Sequence, residues 1–171
     1  MKWGLIPHWA KDPSIGNKLI NARADTVHEK PSFRESLRKS RCLIPATGFF
    51  EWVTAKGEKR KHPMYIFLID EKIFSFAGLW STWKSPQGSN ILTYTILTTE
   101  SNEFMKKLHH RMPVILERQH EDKWLNETLL NQEEMREILK PYSSQEMEAY
   151  EVSPVANSPK NDSPECIEKV A

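Results

Sequence analysis

The sequence contains only two cysteines, Cys42 and Cys166, which lie far apart in a chain of 171 residues. They form no CxxC pair, so we expect neither a disulfide framework nor a structural zinc site. No apolar run approaches the roughly 20 residues that a membrane-spanning helix needs. The first residues also lack the apolar core and small-residue cleavage site of a secretory signal. We therefore expect a cytoplasmic protein that does not bind a membrane.

Several motifs that mark common enzyme classes are also missing. The sequence has no P-loop, no dinucleotide-binding glycine motif, no GxSxG motif, no HExxH motif and no internal repeat. The pattern gives no support to a nucleotide hydrolase, a nicotinamide-dependent oxidoreductase, a serine hydrolase of that type or a zinc protease. We expect neither a cofactor nor a bound metal.

The composition is that of a globular protein, with 39% hydrophobic and 27% charged residues. Its length suits one domain with a proper core, so we expect a single domain over residues 1–171. The net charge is only +1, but it is unevenly spread: residues 1–62 hold 13 Lys and Arg against 6 Asp and Glu, whereas residues 117–151 hold 4 against 10. A basic first third can face a polyanion, although solvated surface charge is the simpler explanation.

Hydrophobic periodicity predicts a succession of strands and short helices. The predicted strands cover residues 18–20, 42–45, 49–52, 64–69, 73–80, 91–99, 114–116 and 148–152. The predicted helices cover residues 31–40, 101–108, 119–126 and 132–139, and Ser101 is expected to cap the second of them. Residues 56–61 suggest a charged hairpin turn, and residues 81–90 a loop.

Residues 41–52, RCLIPATGFFEW, predict two strands joined by a bend. Pro45 limits ladder pairing, which favours an edge or bulged strand. The small residues 46–48 suit a bend or a close approach by another chain.

Glu51 lies within the aromatic strand that follows this bend. Side chains alternate along a strand, so Phe50 and Trp52 share one face while Phe49 and Glu51 share the other. A buried carboxylate needs a partner, and burial favours its neutral form, which suits proton transfer. The alternative is a strand-edge glutamate whose carboxylate lies in water.

Two tryptophans, Trp3 and Trp9, flank a Gly/Pro-containing segment at the start of the sequence. They either pack as a cap on the core or form a platform for unpaired bases, where each stacked base contributes about 1–3 kcal/mol.

Asn21 follows the predicted strand at residues 18–20, where its amide can bind a ligand or cap a turn. Arg23 would share its face, and its planar guanidinium suits a phosphate. A turn amide and a surface arginine explain the same spacing equally well.

A histidine pair, His109 and His110, follows the predicted helix at residues 101–108 and precedes a buried strand. Only one of two adjacent histidines can point inward, and that one would emerge at a pocket or serve as a packing residue. With no third ligand nearby, the pair is weak evidence for a metal site.

Taken together, these segments resemble the SRAP family, the SOS-response-associated peptidase-like proteins that cross-link to abasic sites in single-stranded DNA. The matching segments are WGLIPHW, NARADT, RCLIPATGFFEW, FAGLW, LTT, LHHRMPVIL and SPVANSPKND, in the order of the family. The resemblance implies an α+β fold with a twisted, barrel-like and mostly antiparallel sheet flanked by short helices. One face of this sheet would form a DNA groove in a monomer.

The resemblance also implies roles for individual residues. Asn21 would hold the opened sugar, Glu51 would move protons and His109 would be the second acid or base. Arg23 would contact a phosphate. Residue type, more than motif, adds further candidate DNA contacts: Trp3, Trp9, Arg38, Arg41 and Arg111.

In the family, a cysteine that becomes residue 1 reacts through its amine and thiol with the abasic-site aldehyde and closes a thiazolidine. This sequence begins at the WG motif, and neither Cys42 nor Cys166 joins a thiol to a free α-amine. We therefore expect a DNA groove with impaired cross-linking and with the N-terminal strands of the family missing. The alternatives are a non-enzymatic single-stranded DNA-binding protein and, third, a thiol peptidase that uses Cys42 and His109. The apolar surroundings of Cys42 argue against the peptidase.

Overall fold

The computed structural model describes residues 1–54, 57, 60–126 and 130–170. The chain divides into two compact units. The first comprises Met1–Pro45, Ser75–Glu100 and Arg111–Tyr142, and the second comprises Ala46–Phe74, Ser101–His110 and Ser143–Ala171. The single domain expected over residues 1–171 stays a prediction.

The described residues form strands, three α-helices and short 3-10 helices. In chain order the strands are β1 (Lys2–Trp3), β2 (Asn21–Arg23), β3 (Arg41–Ala46), β4 (Phe49–Thr54), β5 (Lys61–Leu68), β6 (Phe74–Lys84), β7 (Asn90–Glu100), β8 (Arg111–Pro113), β9 (Ile115–Leu116) and β10 (Met147–Glu151). The α-helices are α1 (Arg34–Lys39), α2 (Arg118–Leu125) and α3 (Gln132–Ile138). The 3-10 helices are Pro13–Lys18, Met105–Lys107, Ser144–Glu146, Pro154–Asn157 and Pro164–Ile167.

Strand β7 is the centre of the seven-stranded sheet of the first unit. Strands β6 and β8 pair with it antiparallel, and β1 and β2 pair with it in parallel. Because Thr98 is paired with both Arg23 and Pro113, β2 and β8 flank β7 on opposite sides. The strand path runs β1-β7-β6-β3.

This architecture confirms the α+β class and the largely antiparallel pairing. The path has two ends, so within the described residues the sheet is open rather than closed into a barrel. Strand β3, which contains Pro45, lies at one end of that path, as its proline predicts.

The core of the first unit lies where the helices cover the sheet. Leu37 of α1, Trp124 of α2 and Ile138 of α3 join one buried cluster with Leu79 and Leu97 of the central strands. Each fully buried side chain of this kind contributes about 1.5–3 kcal/mol to stability. The amphipathic patterns of residues 31–40, 119–126 and 132–139 therefore correctly predicted helices, although α1 is shorter than its pattern.

The second unit contains a three-stranded antiparallel sheet in the order β10-β5-β4. Rings of Phe50, Tyr65, Phe67 and Tyr150 pack against one another with centroids 5.4–6.2 Å apart. Gly48 lies at the predicted bend, where a Cβ atom would stand 2.3 Å from the ring of Tyr65. The predicted bend is therefore present, and the close approach is made by a residue of the same chain instead of another chain.

The bounds of one predicted strand and one predicted loop were wrong. Residues 18–20 form no strand, because the Asp12 side chain caps a 3-10 helix at Pro13–Lys18 and pairing with β7 begins only at Asn21. Asn21 therefore starts a strand instead of following one. The loop predicted over residues 81–90 is also too long, since β6 continues to Lys84 and pairs with β7 up to that residue.

The helix predicted over residues 101–108 is reduced to the 3-10 helix Met105–Lys107. Its cap is not Ser101: the backbone N–H of Met105 donates to the side-chain oxygen of Asn102 at 2.8 Å. Of the hairpin turn predicted over residues 56–61, residues 56, 58 and 59 lie outside the described residues. No helix within the described ranges is both long and apolar enough to cross a membrane.

Candidate active site

A carboxylate and an imidazole come together in the second unit. Nδ1 of His109 lies 3.8 Å from Oε1 of Glu51. The His109 side chain is 40% exposed and the Glu51 side chain 24% exposed. The two groups thus form a close carboxylate–imidazole pair, and both remain accessible to a ligand. Of the three residues predicted to be catalytic, the structure brings these two together.

His109 is held by its backbone within the segment that replaces the predicted helix. Its N–H donates to the carbonyl oxygen of Met105 at 2.8 Å, and its own carbonyl accepts from the Ser101 hydroxyl at 2.6 Å. Met105 is fully buried and anchors this turn. The ring of His110 lies against the ring of His109, with centroids 4.3 Å apart. These bonds fix the backbone of His109 in the same unit as Glu51.

Glu51 lies in the middle of β4, opposite Met64 of β5. Strand β4 ends the order of its sheet, so the carboxylate lies on an outer strand. Glu51 thus has features of both interpretations given above. It lies on an edge strand, but its side chain is three-quarters buried and has an imidazole beside it. Trp52 follows on the opposite face, 39% exposed, and its indole N–H donates to Oδ1 of Asn157 at 2.6 Å.

Asn21 and Arg23 lie in the first unit, at the two ends of β2, and both are exposed. They pair in register with Ile96 and Thr98 of β7. Since two residues apart on a strand share a face, their side chains project to the same side. The shared face predicted from their spacing is therefore confirmed, and their roles stay predictions.

Asp25 links two arginines that the sequence placed in separate motifs. Nε of Arg23 donates to Oδ1 of Asp25 at 3.2 Å and Nη2 to Oδ2 at 2.8 Å. Nη2 of Arg111 lies 3.4 Å from the same Oδ1 and donates to the backbone oxygen of Thr98 at 2.5 Å. These bonds, first that from Arg23, lower the pKa of Asp25. The carboxylate thus holds two cations side by side across β7.

The two basic residues near α1 differ sharply. Arg38 is exposed at the end of α1, where a ligand can reach it. Arg41 is 9% exposed and donates to the carbonyl oxygens of Leu37, Trp124 and Asn126, with its guanidinium over the Trp124 ring. Burial lowers the pKa of Arg41. These contacts give Arg41 a structural role, and its DNA contact stays a prediction.

Trp3 and Trp9 are 49% and 51% exposed, so neither is a fully packed cap. The indole N–H of Trp3 donates to the carbonyl oxygen of Ile20 at 2.8 Å. Trp9 lines a cavity of about 240 Å³ together with Trp80 and two prolines. Each indole therefore keeps one large surface open to solvent.

Cys42 is poorly suited to nucleophilic chemistry. Burial raises the pKa of its thiol to about 11. At neutral pH only about one molecule in ten thousand would carry the reactive thiolate. Among the described residues, no three His, Cys, Asp or Glu side chains are grouped so that they could hold a metal ion.

Sequence reasoning missed Asp25 as part of the site. The signal was available, because NARADT places a carboxylate two residues after Arg23. What the sequence did not show is that β8 delivers Arg111 to the same carboxylate, which depends on the pairing of β2 and β8 with β7.

Comparison with known proteins gives consistent matches. The profile of the SOS response associated peptidase (SRAP) family matches residues 1–159. The chain is 51% identical over 168 residues to the abasic site processing protein YoqW of Bacillus subtilis, covering 98% of this chain and 75% of that protein. It is 31% identical over 196 residues to the abasic site processing protein HMCES of Rattus norvegicus, covering 98% of this chain and 55% of that protein.

A solved structure resembles the fold closely. A crystal structure of a protein from Bacteroides thetaiotaomicron superposes with a TM-score of 0.90 at 39% sequence identity. The match covers 99% of this chain and 75% of the other. The strand order and helices described above are thus those of an experimentally observed architecture.

Proposed function

The chain belongs to the SOS response associated peptidase family, and from this membership we propose that it binds abasic sites in single-stranded DNA and promotes reaction of their aldehyde. The observation that carries the proposal is the Glu51–His109 pair, with its 3.8 Å separation and partial exposure. An abasic deoxyribose in its open form carries an aldehyde, and condensing an aldehyde with an amine requires both a proton donor and a proton acceptor.

The pair can supply both functions. When a primary amine attacks the aldehyde carbon, the new C–N bond forms while the carbonyl oxygen gains a proton. The amine nitrogen then loses a proton, and the hydroxyl departs as water when the C=N bond forms. We assign the proton donor for the departing hydroxyl to Glu51 and the second acid or base to His109. Two adjacent groups with different chemistry can exchange these roles as the reaction proceeds.

The first unit offers groups that suit the DNA strand. The Arg23 side chain is 64% exposed, and Asp25 orients its guanidinium. Arg111 pairs with the same carboxylate of Asp25 at 3.4 Å, so its guanidinium lies near that of Arg23. Asn21, which is neutral, can orient a sugar hydroxyl without changing its own charge. The exposed indoles of Trp3 and Trp9 supply surfaces on which bases can stack.

A stable cross-link requires more than imine formation. In a thiazolidine, a neighbouring thiol adds to the imine carbon, so amine and thiol must belong to the same N-terminal cysteine. Cys42 and Cys166 are internal, and neither provides that pair. We therefore expect the 171-residue polypeptide to bind abasic DNA without forming a heat-stable adduct, and a form extended so that it begins with cysteine to form one.

The test uses both polypeptides with a single-stranded oligonucleotide that carries one abasic site. In the extended form, Glu51→Gln and His109→Ala should each slow adduct formation by about 100-fold or more, as loss of a general acid or base usually does. The matched controls are Glu148→Gln and His110→Ala, which change exposed residues of the same type in the same unit. We expect these controls to react at nearly the unaltered rate.

Three results would contradict the proposal in different ways. Equal rates for Glu51→Gln and Glu148→Gln would remove the acid–base assignment. Equal affinity for abasic and undamaged strands, with no adduct from the extended form, would leave a non-enzymatic single-stranded DNA-binding protein. A heat-stable adduct from the 171-residue polypeptide would show that the thiol and amine come from elsewhere.

A further inference from the structure

The first unit contains a wide groove that the proposed chemistry does not use. It measures about 970 Å³ and is lined by α1, by α3 with the residues that follow it, and by the ends of β7 and β8. This volume is at the upper end of the range for small-molecule pockets. It is therefore large enough to accept a short segment of another molecule.

The rim of this groove is strongly basic. Six cations line it, against two carboxylates, Asp25 and Glu100. The cations are Arg34, Arg38, Arg41, Arg111, Arg136 and Lys140. Lys140 pairs with Glu117 at 2.9 Å, and Asp25 is held by Arg23 and Arg111. Arg34, Arg38 and Arg136 are exposed and form no ion pair with any described residue. Their charge is therefore available to an anionic ligand.

The floor of the groove is aliphatic. Leu37 and Leu139 are buried at its base, and Leu130 and Met135 are half-buried beside them. Among the described residues that line it, there is no Phe, Tyr or Trp. Unpaired bases bind through stacking on aromatic rings, which this floor does not offer. Leucine and methionine surfaces instead suit the apolar side chains of a peptide.

The acidic and basic side chains of α3 have different surroundings, which leaves the groove both basic and apolar. Met135, Arg136 and Leu139 at its end line the groove. Glu134 instead pairs with Lys123 at 3.0 Å, and Glu137 lies 3.7 Å from His120. The acidic residues of this region are thus directed to other partners, and the groove receives the basic and apolar side chains.

Helix α1 keeps this groove distinct from the exposed tryptophan surface. Arg34, Leu37 and Arg38 line the groove. Glu35 and Lys39, on the other side of the helix, line the small cavity that contains Trp9. The aromatic surface suited to bases and the aliphatic groove therefore lie on different faces of one helix.

From these observations we infer that the groove binds an acidic peptide segment of a partner protein, with apolar side chains inserted between the arginines. Arginine is favoured in protein interfaces because its guanidinium binds carboxylates with two parallel hydrogen bonds. The apolar floor would hold leucine-like anchors spaced along the segment. Binding would be both salt-sensitive and dependent on those anchors.

The test is fluorescence anisotropy with the full chain and three labelled probes. The first is a short synthetic peptide in which acidic residues surround two leucines; the second replaces both leucines with serine; the third is an undamaged oligothymidylate. The double variant Arg34→Glu with Arg136→Glu should weaken binding of the leucine peptide at least about tenfold, because it turns attraction into repulsion. The matched control, Lys11→Glu with Lys84→Glu, reverses the same number of exposed charges outside the groove.

We expect the control to bind the leucine peptide within about twofold of the unaltered protein. We also expect the serine peptide to bind at least about tenfold more weakly than the leucine peptide. Failure of the leucine peptide to bind the unaltered protein would overturn the inference. Equal binding of both peptides would overturn it as well. Loss of oligothymidylate binding in the groove variant but not in the control would show that the groove takes DNA phosphates instead. Thermal unfolding of both double variants establishes that each is folded.

Discussion

Arg41 provides the sharpest test of whether a basic residue in this fold contacts DNA or stabilises the chain. Its guanidinium donates to the carbonyls of Leu37 and Trp124 at 2.8 and 2.5 Å, and also to that of Asn126. The same group lies 5.5 Å from the centroid of the Trp124 ring. It thereby joins α1 to the end of α2. Arg41→Met keeps much of the apolar stem and removes every one of these donors.

The magnitude follows from the carbonyls that the substitution leaves behind. Each buried carbonyl without a donor costs about 1–3 kcal/mol, so three would cost about 3–9 kcal/mol. Burial of the cation opposes this, since desolvation already lowers the pKa of Arg41. Removing the charge recovers part of that penalty, and we therefore expect the lower part of the range. The predicted loss in the free energy of unfolding is about 3–5 kcal/mol.

Urea unfolding followed by tryptophan fluorescence measures this loss. Arg38→Met is the matched control, because Arg38 is exposed and lies three residues before Arg41 in the chain. We expect this control to change the free energy of unfolding by no more than about 0.5 kcal/mol. A loss of less than about 1 kcal/mol for Arg41→Met would refute the structural account. If such a stable variant also bound single-stranded DNA weakly, Arg41 would be a DNA contact, as its residue type first suggested.

Other predictions address the fold and the thiol. Gly48→Ala should destabilise the protein by about 1–3 kcal/mol in urea unfolding, because its Cβ would lie 2.3 Å from Tyr65; an unchanged midpoint would contradict this. Since burial raises the pKa of Cys42 to about 11, alkylation of the folded protein at pH 8, read by mass spectrometry, should be about 200-fold slower at Cys42 than at an ordinary thiol. Rapid labelling would revive the thiol peptidase. Asp25 has a lowered pKa, so its stabilising effect should persist above about pH 4 and be lost as the pH falls further. Asp25→Asn should remove this part of the pH dependence of the free energy of unfolding. An identical pH profile for the variant and the unaltered protein would contradict the prediction.

Local patterns in the sequence were sufficient to predict the strand that carries Glu51. Alternation over Phe49–Trp52 fixed which side chains share a face, and Phe50 and Trp52 do lie together, with ring centroids 6.3 Å apart. The bend predicted at residues 46–48 is also present. These successes share a cause, because side-chain direction along a strand depends only on the strand itself.

The placement of His109 could not be predicted in this way. The pattern of residues 101–108 favoured a helix, but the Ser101 side chain instead donates to the carbonyl of His109, eight residues later. Such a loop depends on a side-chain bond that competes with helical pairing. The same applies to Asp25, whose second arginine arrives only through strand pairing.

Net charge by segment was the least reliable guide, and the reason is geometric. Residues 117–151 hold 4 Lys and Arg against 10 Asp and Glu, yet Arg136 of α3 lines a basic groove while Glu134 pairs with Lys123. Residues that are neighbours in a helical sequence lie on different faces of the helix. The net charge of a segment therefore adds charges that no single partner can contact. The same reasoning separates Glu35 and Lys39 from Arg34 and Arg38 on α1. Arg34 and Arg38 therefore line a different surface from Lys39. If the groove binds an acidic peptide as inferred above, we expect a salt titration of DNA binding to miss the cations that line it.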